Sequence, residues 1–457
     1  MIHTIIDFLS KHGGAAPSFE RRYFAIETLD KAGSLSYLFQ PEPILLTTFI
    51  RKLRSIGPGI FAIGYTIGTG SVTSMVVAGS RFGMQLLWVL LLSCLFSWVM
   101  MEAYGRYYLV TGETALYSFR KRLKLGKLIS WLIIIGITFG QWNSLIGILG
   151  ISSNAIVETL ALFVPAVAGH EYTAVLVVAV LIIVIMYAVL LKGSYQLFEK
   201  ILILFVSLMG LSFLLSFFVV LPRPSEVVSG LVPSIPKVEG GRMLVAAFVG
   251  TTMAAATFLS RPLFIQGKQW TREHLADQRR DAGWAALLIF CISGAIMAVA
   301  MGAFYEQGKV VTKVLDMVDT LVPVAGRLAI VIFFVGTLAA GLSSIFPILM
   351  IAPLLIADYQ KGKLDIRSTQ FKVLTAVACL LGLTVPVLGV NPINAQLLTQ
   401  VFNVFVLPLV ILSMLILINN QLLMGTHRAG WWLNLGMGAA LLFALIISYN
   451  GVVAMLQ

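Results

Sequence analysis

The chain has 457 residues, 59% of them hydrophobic and only 11% charged, with a mean hydropathy of +0.94. A soluble domain carries roughly 25% charged residues, so this composition excludes an ordinary globular fold and indicates a polytopic membrane protein. The excess of 32 Lys and Arg over 20 Asp and Glu would suit nucleic acid, but these residues gather in alternate connections between apolar stretches, which excludes that partner.

Residues 1–50 mix charge with short apolar pieces and lack a cleavable-signal pattern. They are expected to form a cytoplasmic segment, partly amphipathic, on the membrane surface. Eleven apolar spans follow, beginning near residues 57, 83, 128, 172, 196, 243, 281, 325, 372, 395 and 430, each long enough to cross a bilayer as a helix. Basic clusters stand at Arg51, Lys52 and Arg54, at Arg120 to Lys127, at Lys268 to Arg280, at Lys361 to Lys372 and at Arg428. This positive-inside alternation predicts a multi-pass protein of the cell (inner) membrane with a cytoplasmic N-terminus and an external C-terminus.

The Pro-rich stretch from Pro222 to Gly241 is the longest external loop. It divides the chain into an N-terminal segment (1–50), a first five-helix repeat (51–221), the loop (222–242), a second five-helix repeat (243–421) and an eleventh transmembrane helix (422–457). Five plus five is the arrangement of inverted-repeat transporters of the LeuT type, in which spans one and six are broken at mid-depth. The predicted fold is therefore an all-α polytopic membrane protein, LeuT-like, with two inverted five-helix repeats plus the eleventh helix.

The strongest local signal is Gly68-Thr69-Gly70-Ser71, which interrupts the first span. Irregular backbone at that depth survives only where protein buries it or a wet cavity receives it, and in transporters such breaks mark the substrate site. The interruption holds no Asp, Glu, His, Cys or Met. The three cysteines (Cys94, Cys291 and Cys379) lie in apolar spans without metal-ligand spacing, and the five histidines fall in termini or loops. No cofactor is implied. The motifs of metalloproteases, P-loop enzymes and serine hydrolases are absent from the sequence, which excludes those enzyme classes.

Gly57-Pro58-Gly59, Gly70, Ala78-Gly79-Ser80-Arg81-Phe82-Gly83 and Leu86-Leu87-Trp88 resemble the first two spans of the NRAMP metal-ion transporters. The likeness continues through Thr111-Gly112, Gly193 to Glu199, Gly250-Thr251-Thr252 with Gln266, Ala339 to Ser344, and Thr399-Gln400 followed by Pro408. It covers roughly residues 50 to 425. The resemblance implies a LeuT-like fold and a secondary transporter.

The departures fall on the chemistry that the family implies. Its first-span DPGN motif becomes Gly68, Thr69, Gly70 and Ser71, so that Asp reads Gly68 and Asn reads Ser71. Its sixth-span MPH becomes Ala254, Ala255 and Ala256, with Met253 one residue early and so about 100° away on a helix. The third-span acidic pair reads Gln141 and Ser144, a later sixth-span His reads Arg261, and an eighth-span Gln reads Leu342.

A site stripped of carboxylate and thioether disfavours a dehydrated transition metal. Amide N–H groups at the start of the second half-helix, with the Thr69 and Ser71 hydroxyls, favour an anion. The sequence-based expectation is thus a secondary transporter of a small inorganic or carboxylate anion, bicarbonate first, proton-linked through the substrate itself. The alternative is an NRAMP-like carrier of a divalent cation, Mn²⁺ or hydrated Mg²⁺, with an altered site. A channel and a sensor are further readings.

The residues expected to bind substrate are Gly68, Thr69, Gly70 and Ser71, with Ala254, Ala255 and Ala256 as an opposite wall leaving room for more than a bare ion. Gln141, Ser144 and Gln400 are secondary polar contacts, and no metal ligand is assigned. Gln141, Asn143 and Ser144 could equally link helices, and Arg261 either adds a positive field or snorkels to the interface. The expected partners are a small-molecule or ion substrate and the lipid bilayer, with the protein a monomer or at most a weak oligomer.

Overall fold

The computed structural model describes residues 58–456, apart from 165–166, 168, 193–194, 237–239, 310, 312–315, 317–326 and 362–366. The N-terminal segment 1–50 lies outside the described residues. Among those described, helices account for all the regular structure. The first span is two helices, α1 (Gly59–Thr66) and α2 (Thr69–Phe82), which meet at 55°. Then come α3 (Leu87–Thr111), α4 (Gly126–Phe163), α5 (Glu171–Lys192) and α6 (Tyr195–Val220).

The sixth span is likewise two helices, α7 (Gly241–Thr252) and α8 (Ala255–Gly267). It is followed by α9 (Leu275–Phe304), α10 (Arg327–Lys361), α11 (Thr369–Gly382), α12 (Pro392–Val404), α13 (Leu407–Ile418) and α14 (Trp431–Leu456). Among the described residues, nine helical spans are long and apolar enough to cross a membrane, ten with the bent first span, and α6 adds a further apolar helix of 26 residues.

The boundaries follow from local chemistry. Gly112 ends α3 in the left-handed conformation, with φ at 69°, a geometry that glycine adopts without steric cost. The Ser368 and Asn391 side chains accept hydrogen bonds from first-turn amides of α11 and α12, and Pro392 occupies the first helical position, where its missing N–H costs nothing. A short helix, Ala115–Arg122, lies across the end of α4 and has no cap of its own. The Asp358 carboxylate supplies one from α10: it accepts from the Leu116 and Tyr117 amides at 3.1 and 3.3 Å, a negative charge against the positive end of the helix dipole.

At the same end Glu113 receives Arg122 at 2.8 Å and Lys121 at 3.4 Å. Burial alone would raise the Glu113 carboxyl, but Arg122 and then Lys121 outweigh it and hold it below its ordinary value.

Burial sorts the spans into a centre and a rim. The sixth span is almost wholly enclosed, whereas α5 and α14 turn most of their surface outward. Large apolar residues such as Leu181, Val184, Leu442 and Leu445 are exposed on that rim, as a lipid-facing surface requires. The centre depends on close approach. A Cβ on Gly79 of α2 would strike the Met297 carbonyl of α9 and lie 2.8 Å from the Ala300 Cβ and 3.1 Å from the Met301 nitrogen. Backbone cannot yield as a flexible side chain does, so Gly79→Val is expected to destabilise by at least about 1–3 kcal/mol. Thermal unfolding in detergent checks this. Gly438 of α14, with nothing within 4 Å of its would-be Cβ, serves as control, and Gly438→Val should leave the midpoint unchanged.

Candidate functional site

Both central spans lose their helical backbone at the same depth in the bundle. In the first, Ile67 closes α1 by donating to the Ile63 carbonyl at 2.8 Å, and Gly68 is extended, with φ −102° and ψ −172°. In the sixth, Met253 donates to the Val249 carbonyl at 2.8 Å, and Ala254 turns to φ −61° and ψ 115° before α8 begins. No Pro or Gly marks this second break, which is a local unwinding within a span less sharply bent than the first.

A helix end buried in apolar surroundings needs partners for its orphaned groups. Side-chain hydroxyls provide them. Ser344 of α10 donates to the Gly64 carbonyl at 3.1 Å, Thr251 to the Thr66 carbonyl at 3.4 Å, and Ser97 of α3 to the Thr252 carbonyl at 3.0 Å.

Between the two breaks lies a cavity of about 20 Å³, room for one ion or one or two waters. Tyr65, Gly68 and Gly70 line it from the first span, Thr251 and Ala254 from the sixth, Gln141, Ser144 and Ile148 from α4, Ser344 and Ile348 from α10, and Gln400 and Asn403 from α12. A hydrogen-bonded chain forms its polar wall. Gln141 donates to the Asn403 carbonyl oxygen at 2.8 Å, Asn403 to that of Gln400 at 3.0 Å, and Gln400 to the Ser144 hydroxyl at 2.7 Å. One N–H of each amide is thereby spent inside the wall. The Tyr65 and Thr252 hydroxyls and both amide atoms of Gln396 are buried without partners. Gln396 and Gln400 both press on Gly70, whose Cα leaves them room that any side chain would take.

The expected site residues are therefore only partly brought together. Gly68, Gly70, Gln141, Ser144, Gln400 and Ala254 line the cavity. Thr69 begins α2, but its side chain lies outside the described residues. Ser71 is buried with an unpartnered hydroxyl and stands outside the lining, as do the buried Ala255 and Ala256. Asn143 donates to the Phe139 carbonyl one turn back at 2.7 Å and takes no part.

Arg261 neither snorkels nor adds a free field. It is 2% exposed, pairs with Asp281 of α9 at 2.8 Å and donates to the Gln278 carbonyl at 3.1 Å. Tyr65, Thr251 and Ser344 escaped sequence reasoning, although Tyr65 precedes Gly68 by one helical turn and Ser344 closes a motif that carried the resemblance. Among the described residues no three His, Cys, Asp or Glu side chains cluster to hold a metal.

The family description "Natural resistance-associated macrophage protein-like" matches residues 59–454. The divalent metal cation transporter MntH of Acidiphilium cryptum is 26% identical over 377 residues, covering 81% of this chain and 83% of the relative. That of Vibrio campbellii is 26% identical over 415 residues, covering 88% and 91%. The crystal structure of the Eremococcus coleocola manganese transporter, in complex with an aromatic bis-isothiourea substituted compound, superposes with a TM-score of 0.67 at 16% identity and covers 89% of this chain and 87% of its own. The all-α fold with two inverted five-helix repeats and an eleventh helix is the fold of that structure.

These matches overturn the expectation of a small anion and of bicarbonate, since the curated relatives are named for divalent metal cations. The geometry supplies the physical reason. A broken helix has two ends, and the expectation weighed only the N-terminal one. Tyr65 and Thr251 bring the last turns of α1 and α7 to the cavity, and each such turn carries about half a negative charge. Arg261 is neutralised by Asp281, one N–H of each wall amide is spent, and the cavity holds less than a polyatomic anion with its waters.

The ion pair makes its own prediction. Arg261→Met strands the buried Asp281 carboxylate and should cost about 3–5 kcal/mol, whereas Arg261→Met with Asp281→Leu should recover most of that loss. Thermal unfolding of the two variants in detergent decides it, and equal losses would refute the pairing.

Proposed function

The chain belongs to the natural resistance-associated macrophage protein-like family, and from that premise we propose that it carries a divalent metal cation across the membrane by alternating access, through the cavity between the broken first and sixth spans. The curated relatives named above, each aligned over more than four fifths of its length, support the cation. The observation that carries the site is the meeting of two half-helix carbonyl ends with an oxygen-rich wall in one small cavity. Unwound carbonyls and C-terminal helix ends are what coordinate cations in broken-helix transporters.

Within that reading the donors are neutral oxygens: the Tyr65, Thr251, Ser144 and Ser344 hydroxyls, the carbonyls at the breaks and the Gln141, Gln400 and Asn403 amides. Among the described residues no sulfur lines the cavity, and Met253, although buried at the break, is outside the lining. Such a set suits hard cations such as Mg²⁺ and Mn²⁺ and penalises softer ones such as Cd²⁺. With no carboxylate to repay full dehydration, the cation keeps the one or two waters that the cavity admits. The basic clusters favour the N-terminal side of the first span as cytoplasmic and the inner membrane as the location.

Proteoliposome flux tests the reading. Saturable Mn²⁺ or Mg²⁺ uptake that exceeds Cd²⁺ uptake is expected, and Gln400→Leu should reduce it by about tenfold or more, the effect of removing ~1.4 kcal/mol of binding. Uptake of both metals no faster than in protein-free liposomes would sink the proposal.

A second test restores charge. A Cβ on Gly68 would collide with the Ser344 hydroxyl and lie 2.6 Å from its Cβ, so Gly68→Asp alone should fail to fold. Paired with Ser344→Gly it should fold and bind Mn²⁺ at least about tenfold more tightly. Calorimetric titration that shows unchanged or weaker Mn²⁺ affinity in the folded double variant would place the cation elsewhere.

A further inference from the structure

A second and much larger concavity opens on the outer surface of the bundle, where α3, α9 and α14 meet. It measures about 690 Å³ and is separate from the central cavity. Its floor is apolar and aromatic, with Phe96 and Trp98 of α3 facing Trp432 and Leu433 of α14. Its mouth carries Arg106, near the end of α3, and Arg279, near the start of α9. Trp431 and Trp432 stack at 3.7 Å at the start of α14 and are 65% and 69% exposed. Tryptophans so placed sit at headgroup level, which sets the two arginines at the depth of lipid phosphates. The basic-residue alternation assigns this end of the three spans to the cytoplasmic leaflet.

Charge decides what this groove suits. Glu102 is the carboxylate in its lining, and it is neutralised by Arg106, whose Nε and Nη2 both donate to the Glu102 Oε1, at 3.0 and 2.5 Å. Arg279 is exposed and has no ion-pair partner among the described residues. The mouth therefore carries one uncompensated positive charge over an apolar trough that an acyl chain fills. Basic pockets between transmembrane helices on the cytoplasmic side are how bilayer proteins select anionic headgroups. Ordinary lipid-facing surface needs no such charge.

We propose that this groove is a binding site for an anionic phospholipid of the surrounding leaflet, its phosphate held by Arg279 with Arg106 and one acyl chain lying between Trp98 and Trp432. The lipid bridges α3, α9 and the peripheral α14, and so ties the eleventh helix to the bundle.

Native mass spectrometry of the full chain in detergent tests this with dioleoyl phosphatidylglycerol against dioleoyl phosphatidylcholine, two lipids with the same chains. Wild-type protein should retain phosphatidylglycerol about fivefold better, and Arg279→Gln should remove about that factor, the effect of one arginine near the membrane surface. Ala439→Trp, on the exposed wall of the groove, should lower retention of both lipids by filling the trough. Arg279 and Ala439 are exposed and make no side-chain hydrogen bond or ion pair among the described residues, so both variants should keep the wild-type thermal midpoint. Equal retention of the two lipids by wild type, an unchanged preference in Arg279→Gln, or unchanged retention in Ala439→Trp would each overturn the proposal.

Discussion

A polypeptide that unwinds in the middle of a bilayer must find partners for backbone groups that water cannot reach, because each one left bare costs several kcal/mol. That constraint organises the centre of this protein. At Gly68 and at Met253–Ala254 the chain leaves the helix, and the exposed carbonyls are taken up by hydroxyls from three other places. Ser344 comes from the eighth span, Thr251 from the opposite broken span and Ser97 from the second. The three bonds knit four spans around one point. The cavity is what remains between these hydroxyls and the amide chain of Gln141, Asn403, Gln400 and Ser144. Neither break could persist without the serines and threonines around it, and the cavity could not exist without the breaks.

The same constraint explains where the charge went. A carboxylate at the centre of the span would need a cation beside it at all times. Here the buried charges stand outside the cavity lining and each is satisfied: Arg261 with Asp281, Glu102 with Arg106, and Asp358 by the Leu116 and Tyr117 amides. A carboxylate oxygen of Asp281 also lies 2.9 Å from where a Cβ on Gly59 would be. The pair thus connects α8 and α9 to the very start of α1. Moving either half-helix in an alternating-access cycle would separate charges in a dry place, and burial makes that separation expensive. The pair ties α8 to α9, and its position outside the cavity lining leaves the cavity neutral.

Much of this was legible in the sequence. Length and apolarity located the eleven spans, and Gly68 with Gly70 announced the first break, because two glycines with two hydroxyl residues between apolar stretches favour unwound backbone. Gln141, Ser144 and Gln400 were readable as polar residues set among apolar spans. What escaped has physical causes. The second break has no glycine or proline: its unwinding at Met253 and Ala254 is imposed by packing, and three alanines in a row look like continuous helix. Arg261 could not be read without Asp281, twenty residues on, at what looked like the solvated beginning of another span. Above all, residue types do not say which end of a broken helix a substrate meets. Gly68, Thr69, Gly70 and Ser71 spell out the donor end. The acceptor end is made of carbonyls, which every residue has and no sequence motif records.

The neutral wall also bears on how a carrier of the proposed kind would work. A site that binds by ion–dipole contacts alone is shallow, because each carbonyl or hydroxyl offers a partial charge where a carboxylate offers a whole one. Shallow binding is poor at capturing a scarce cation, yet it releases an abundant one easily, and transport requires both capture and release. The small cavity adds selectivity that affinity does not supply. Entering the closed state costs the cation most of its hydration shell, and hydroxyls fixed by Ser344, Thr251 and Ser144 stand where the lost waters were. Preorganised donors of this kind repay dehydration only for an ion of matching size. Thus the missing carboxylate changes the working range of the carrier without removing its capacity to discriminate.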